Sequence, residues 1–181
     1  MKKINLIFFC FTILLSTFLT ASPNIDLIQG AEKGDTARVS SALKNNALVN
    51  FTNKDGDTAL IIACRNGHTD IVKALLEKQA NVNVQDNEGY TALSEAAYYG
   101  YLEIVTMLIQ KKAEVNARDK HGDTVLMKAV MSGSVPVVKL LLSKNANIYS
   151  VNRTGWTALN FARAMDYNQI AELIIQEGKK K

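Results

Sequence analysis

The amino-acid sequence predicts an all-α solenoid of about five stacked helix-turn-helix units, each finished by a β-hairpin-like finger. Three observations carry this. Glycine recurs every 33 residues, at Gly56, Gly89, Gly122 and Gly155, and each is followed two positions on by a threonine, Thr58, Thr91, Thr124 and Thr157. Aligned on that period, Leu60, Leu93, Leu126 and Leu159 share one column and Ala63, Ala96, Ala129 and Ala162 another. The second half of each unit repeats an apolar pattern, Ile71, Val72, Leu75 and Leu76 returning as Ile104, Val105, Leu108 and Ile109 and then as Val137, Val138, Leu141 and Leu142. A period of this length belongs to stacked repeats, because no single unit can bury its own apolar face.

The elements follow in order. Residues 1–21 form a leader, and five units span about 22–50, 51–83, 84–116, 117–149 and 150–178, with a basic tail at 179–181. Within a unit the first helix runs from about Thr58 to Asn66, its threonine hydroxyl accepting one of the free N–H groups at the helix start. Gly67, Gly100 and Gly133 then let the chain reverse with positive φ. The second helix runs from about Thr69 to Lys78, and Pro136 suits the first turn of its counterpart in the fourth unit. Units one to three close on Asn50, Asn83 and Asn116, with Tyr149 at the last junction. The end units depart from the pattern. Gly30 stands in a helix-interior alanine column, at an expected cost of about 1 kcal/mol, and Asp166 replaces the reversing glycine.

In these columns the chain resembles the ankyrin repeat family over roughly residues 26 to 178. The family's D-x-x-G-x-T-P-L-H-x-A-A-x-x-G pattern is met by Asp86, Gly89, Thr91, Leu93, Ala96, Ala97 and Gly100. The family's proline is here Ala59, Ala92, Val125 and Ala158, and its histidine is Ile61, Ser94, Met127 and Asn160, so the histidine hydrogen-bond network is expected to be missing. The glycine expected after the second helix is Asn46, Gln79, Lys112 and Asn145. Gln79 and Lys112 should each cost up to about 1 kcal/mol in a left-handed conformation.

Met1, Lys2 and Lys3, followed by an apolar run from Ile4 to Leu19, read as a secretory signal peptide. Cleavage after Ala21 is the expectation, although Leu19 is large for the −3 position, and the alternative is an uncleaved membrane anchor, since about 18 apolar residues nearly span a bilayer. The expected location is therefore periplasmic or secreted. Loss of Lys2 and Lys3 lowers the formal charge from +4 to +2. What basicity remains is weighted to Lys179, Lys180 and Lys181, which argues against a nucleic-acid surface. Cys10 leaves with the leader. The remaining Cys64 has no partner for an intramolecular disulfide and occupies a small-residue column, as core filler.

A search for chemistry returns little. A hydrolase needs a nucleophile beside a base and a metal site needs converging ligands, so an enzyme reading would have to draw on Ser94, Glu95 and His68 or His121. His68 follows Gly67 in the family's Gly-His column and is expected to be structural, whereas His121 falls at a finger tip. Asn53 to Asp57 resemble the start of a calcium loop but lack its bidentate Glu, where Ala63 or Cys64 falls. Asn50 and Asn152 head formal glycosylation sequons whose simpler reading is turn chemistry. No catalytic residue, cofactor or metal is expected.

What remains is a surface. The resemblance implies partner contacts on the finger tips and the ends of the first helices, borne here by Lys54, Asp55, Asp57, Arg65 and Asn66, then Asn87, Glu88, Tyr90, Tyr98 and Tyr99. The later units add Lys120, His121, Asp123, Met131 and Ser132, then Arg153, Thr154, Trp156 and Met165. The aromatic weight falls in the middle, and Tyr, Trp and Arg dominate interface hot spots. The reading is a non-enzymatic, monomeric scaffold that binds a protein partner of unknown identity through its concave face. A host-directed effector or toxin-neutralising protein would use the same surface.

Overall fold

The computed structural model describes residues 22–180. The leader, with its cleavage site and Cys10, lies outside the described residues. Among the described residues ten helices pair into five units: α1 (Pro23–Lys33) with α2 (Thr36–Lys44), α3 (Ala59–Arg65) with α4 (Thr69–Glu77), α5 (Ala92–Tyr98) with α6 (Leu102–Gln110), α7 (Val125–Met131) with α8 (Val135–Ser143), and α9 (Ala158–Ala164) with α10 (Asn168–Gly178). First helices stack on first helices and second on second, in two rows. The fingers carry isolated antiparallel bridges, Thr52 with Thr58 and Arg118 with Thr124. The expected helices in the second unit agree with the observed ones to within one residue at each end.

The threonine caps form as their chemistry requires. Thr58, Thr91, Thr124 and Thr157 each accept the N–H three residues on, a bond worth about 1 kcal/mol per helix. The missing histidines are partly replaced. Ser94 Oγ accepts the Thr91 N–H at 2.8 Å and Asn160 Oδ1 accepts the Thr157 N–H at 2.8 Å. Only Ile61, with no polar atom in its side chain, leaves that return bond unmade.

Between the rows, Ala63, Ala96, Ala129 and Ala162 are fully buried, as are Cys64, Ala97 and Val130. Burial, reinforced by the nearby Glu95 charge, pushes the Cys64 thiol far above its usual range, so it is inert filler. The residues at φ near +60°, Asn46, Gln79, Lys112, Asn145 and Asp166, are the ones expected there. Gly30 requires a correction. It is not merely a weak helix former, because a Cβ there would lie 2.8 Å from Val39 Cγ2 and 3.1 Å from Val39 N. Glycine is what lets α1 and α2 approach.

Two kinds of bond lock unit to unit. Asn50, Asn83 and Asn116 each use Oδ1 to accept a backbone N–H 31 residues later, from Asn81, Glu114 and Asn147, at 2.8 to 2.9 Å. At the fingers the N–H groups of Asn87, Lys120 and Arg153 donate to the carbonyls of Asp55, Glu88 and His121, each at 2.9 Å. The reversing turns are sealed by side chains from the next unit: the His68 ring lies against Gly34, Tyr101 against Gly67 and Tyr167 against Gly133. His68 and Tyr101 are therefore seam residues.

Candidate functional site

Each finger is held by one side chain. Asn53, Asp86, Asp119 and Asn152 occupy the same column, and Oδ1 of each accepts two backbone N–H groups, two and four residues ahead, at 2.8 to 3.0 Å. This turn chemistry accounts for Asn53 without a calcium ion and for the Asn152 sequon. The Asn50 sequon is likewise engaged, in the bond to Asn81.

Behind the fingers lie two ionic networks. In the first, Arg65 on α3 reaches Asp57 at 2.8 Å, Glu95 at 3.1 Å and Asp86 at 3.4 Å, all three carboxylates being more than nine-tenths buried at the side chain. In the second, Lys128 on α7 lies 2.8 Å from Asp119 and 3.2 Å from Asp123. Its Nζ also stands 5.0 Å from the centre of the Tyr90 ring, a cation–π distance. Burial raises the Glu95 carboxyl above its usual range, with Arg65 only partly offsetting it, and raises that of Asp86 against the N–H groups of Tyr90 and Glu88. Burial opposes the Lys128 charge, yet Asp119 and then Asp123 outweigh it and raise its pKa.

Arg65 with its three carboxylates, and Lys128 of the second network, line a groove of about 790 Å³ across the second to fourth units. Of the residues expected to contact a partner, Asp55, Arg65, Asn87, Glu88 and Tyr90 line it, with Tyr98, Tyr99 and Met131. The rings of Tyr98 and Tyr99 meet edge to face at 5.1 Å. Lys54, Asn66, Lys120, His121, Arg153 and Trp156 are exposed on fingers or helix ends, and Ser132 is half-buried. None of these seven lines the groove. Asp57 and Asp123 correct the expectation of a free contact surface. Both are buried, Asp57 as the bidentate partner of Arg65 and Asp123 between Lys128 and Asn152 Nδ2.

Sequence reasoning missed Asp86 and Lys128 and weighed Glu95 only as a possible catalytic group. Ser94, its would-be nucleophilic neighbour, spends its hydroxyl in the α5 cap, donating to the Thr91 carbonyl at 2.9 Å. A signal was available in the column Ile62, Glu95, Lys128, Phe161, where opposite charges in adjacent units interrupt an apolar series.

Comparison with known families bears on the whole array. A model of ankyrin repeats, in three copies, matches residues 27–119 and 112–181. The chain belongs to the ankyrin repeat family. No curated protein matches it. Ankyrin repeats are generally protein–protein interaction modules and typically non-enzymatic scaffolds. That agrees with a groove whose polar groups are engaged in holding its shape and whose walls are aromatic.

Proposed function

We propose that this ankyrin protein is a non-enzymatic scaffold that binds a protein partner through the concave groove of its second to fourth units, in the periplasm or outside the cell. The observation that carries the reading is the tyrosine wall. Tyr98 and Tyr99 are 45% and 48% exposed, yet their rings are held edge to face, with Tyr99 also stacked on the seam residue Tyr101 at 5.9 Å. Large rings held in place lose little entropy on docking, which is why such residues become hot spots. The exported location rests on the apolar leader.

Crosslinking in the native compartment, followed by mass spectrometry, identifies the partner and tests the location together. The double substitution Tyr98→Ala with Tyr99→Ala should then weaken capture by about 1 to 2 kcal/mol and leave the helical circular dichroism unchanged. Undiminished capture moves the interface off this groove, and recovery of the chain only from the cytoplasm overturns the location.

A further inference from the structure

The floor of the groove is short of positive charge. Its lining holds five carboxylates, Asp57, Asp86 and Glu95 around Arg65 with Asp55 and Glu88 at the rim, against two cations, Arg65 and Lys128, a net charge of −3 in a partly desolvated site. Lys128 is moreover already paired to Asp119 and Asp123. The whole chain carries +4, so the groove reverses the sign of the molecule around it, and a concave low-dielectric site focuses that field. Among the described residues Glu95 has Arg65 as its one ionic partner, at 3.1 Å, and Arg65 is shared with Asp57 and Asp86. Walls of Tyr98 and Tyr99 stand beside this floor, and the Lys128 contact with Tyr90 shows that aromatic faces in the groove already accept a cation.

We propose that the groove takes an arginine side chain presented by a segment of the partner protein, with its guanidinium paired to Glu95 and Asp86 and its flat face against the tyrosines. This rests on the reading of the groove as the partner-binding face. Arginine fits better than lysine, because its planar fork pairs with carboxylates while stacking on an aromatic ring, and it is more weakly hydrated than an ammonium ion. Burial outweighs Arg65 in raising the Glu95 carboxyl, an effect that a second cation would oppose.

The test selects a displayed library of random short peptides against the full chain, then remakes the best binders with arginine replaced by citrulline or by lysine. The expected result is enrichment of arginine, a loss of about tenfold or more in affinity, or about 1.4 kcal/mol, with citrulline and likewise with Glu95→Gln, and a smaller loss with lysine. Tyr98→Ala with Tyr99→Ala should abolish binding. Binders that need the tyrosines but ignore both citrulline and Glu95→Gln overturn the arginine proposal and leave the groove reading standing. Binders indifferent to the tyrosine pair overturn both. Lysine peptides that bind as tightly overturn the choice of arginine, and a library without binders counts against the proposal. Should Glu95→Gln unfold the chain, the citrulline comparison decides.

Discussion

The third and fifth units share one backbone and differ in what their concave columns hold. In the third, Tyr90 and Glu95 meet charged side chains from both neighbours, Lys128 from one side and Arg65 from the other. In the fifth, the same columns hold Trp156 and Phe161, whose rings pack on each other at 5.0 Å. One junction is tied by ions that cross between units and the other is filled by an aromatic pair inside a unit. Caps, reversing turns and finger bonds are common to both, so they make the slab, while these few columns decide what each stretch of its hollow face can bind.

Removing Lys128 should show the contrast most strongly. Lys128→Met leaves Asp119 and Asp123 buried without their cation and should cost about 3 kcal/mol in urea unfolding. Phe161→Met, in the same column of the fifth unit and only half-buried, should cost about 1 kcal/mol. Equal losses would mean that the two units are held alike.

The finger glycines sharpen the comparison further. Gly56 and Gly155 have φ of 81° and 79°, but a Cβ at Gly56 would lie 2.7 Å from the Asn87 backbone nitrogen, while at Gly155 nothing lies within 4 Å. Gly155→Ala should cost about 1 kcal/mol from its backbone alone. Gly56→Ala should cost about 1 to 3 kcal/mol more, because the next finger must move. Thermal midpoints of the two variants read the difference.

The smallest effect is in the pH dependence. Glu95 holds its proton to a higher pH folded than its ordinary value of 4.5, and Asp86 likewise from 3.8. Their contribution to stability is therefore present at mildly acid pH and declines as pH rises through the window above those values. Glu95→Gln removes part of that slope, so the wild type should lose stability relative to the variant between about pH 4 and about pH 7. A gain instead would show that Arg65 dominates the Glu95 carboxylate.

Most of the fold was legible in the sequence because it is written in local rules repeated at one spacing. A threonine before an apolar run, a glycine after it and an asparagine at each boundary can all be read one unit at a time. Gly30 was misjudged because its reason is Val39, on another helix. The site was less legible for the same cause. Asp57 looked like an exposed finger residue until Arg65, a helix away, was seen to hold it, and Glu95 and Lys128 sit at positions that are apolar in the units on either side. The pairings that matter run diagonally between columns, and reading columns singly misses them.

The carboxamides of Asn50, Asn83 and Asn116 have a consequence for how this chain can change length. Each junction is closed by the same bond across 31 residues, so the socket left by deleting one block of 33 matches the plug offered by the next. Tyr149, at the fourth such boundary, instead rests its hydroxyl beside Gly178. Units could thus be spliced out or in between Asn50 and Asn116 without new joinery, altering the hollow face in whole steps, whereas the join at Tyr149 fits one neighbour alone.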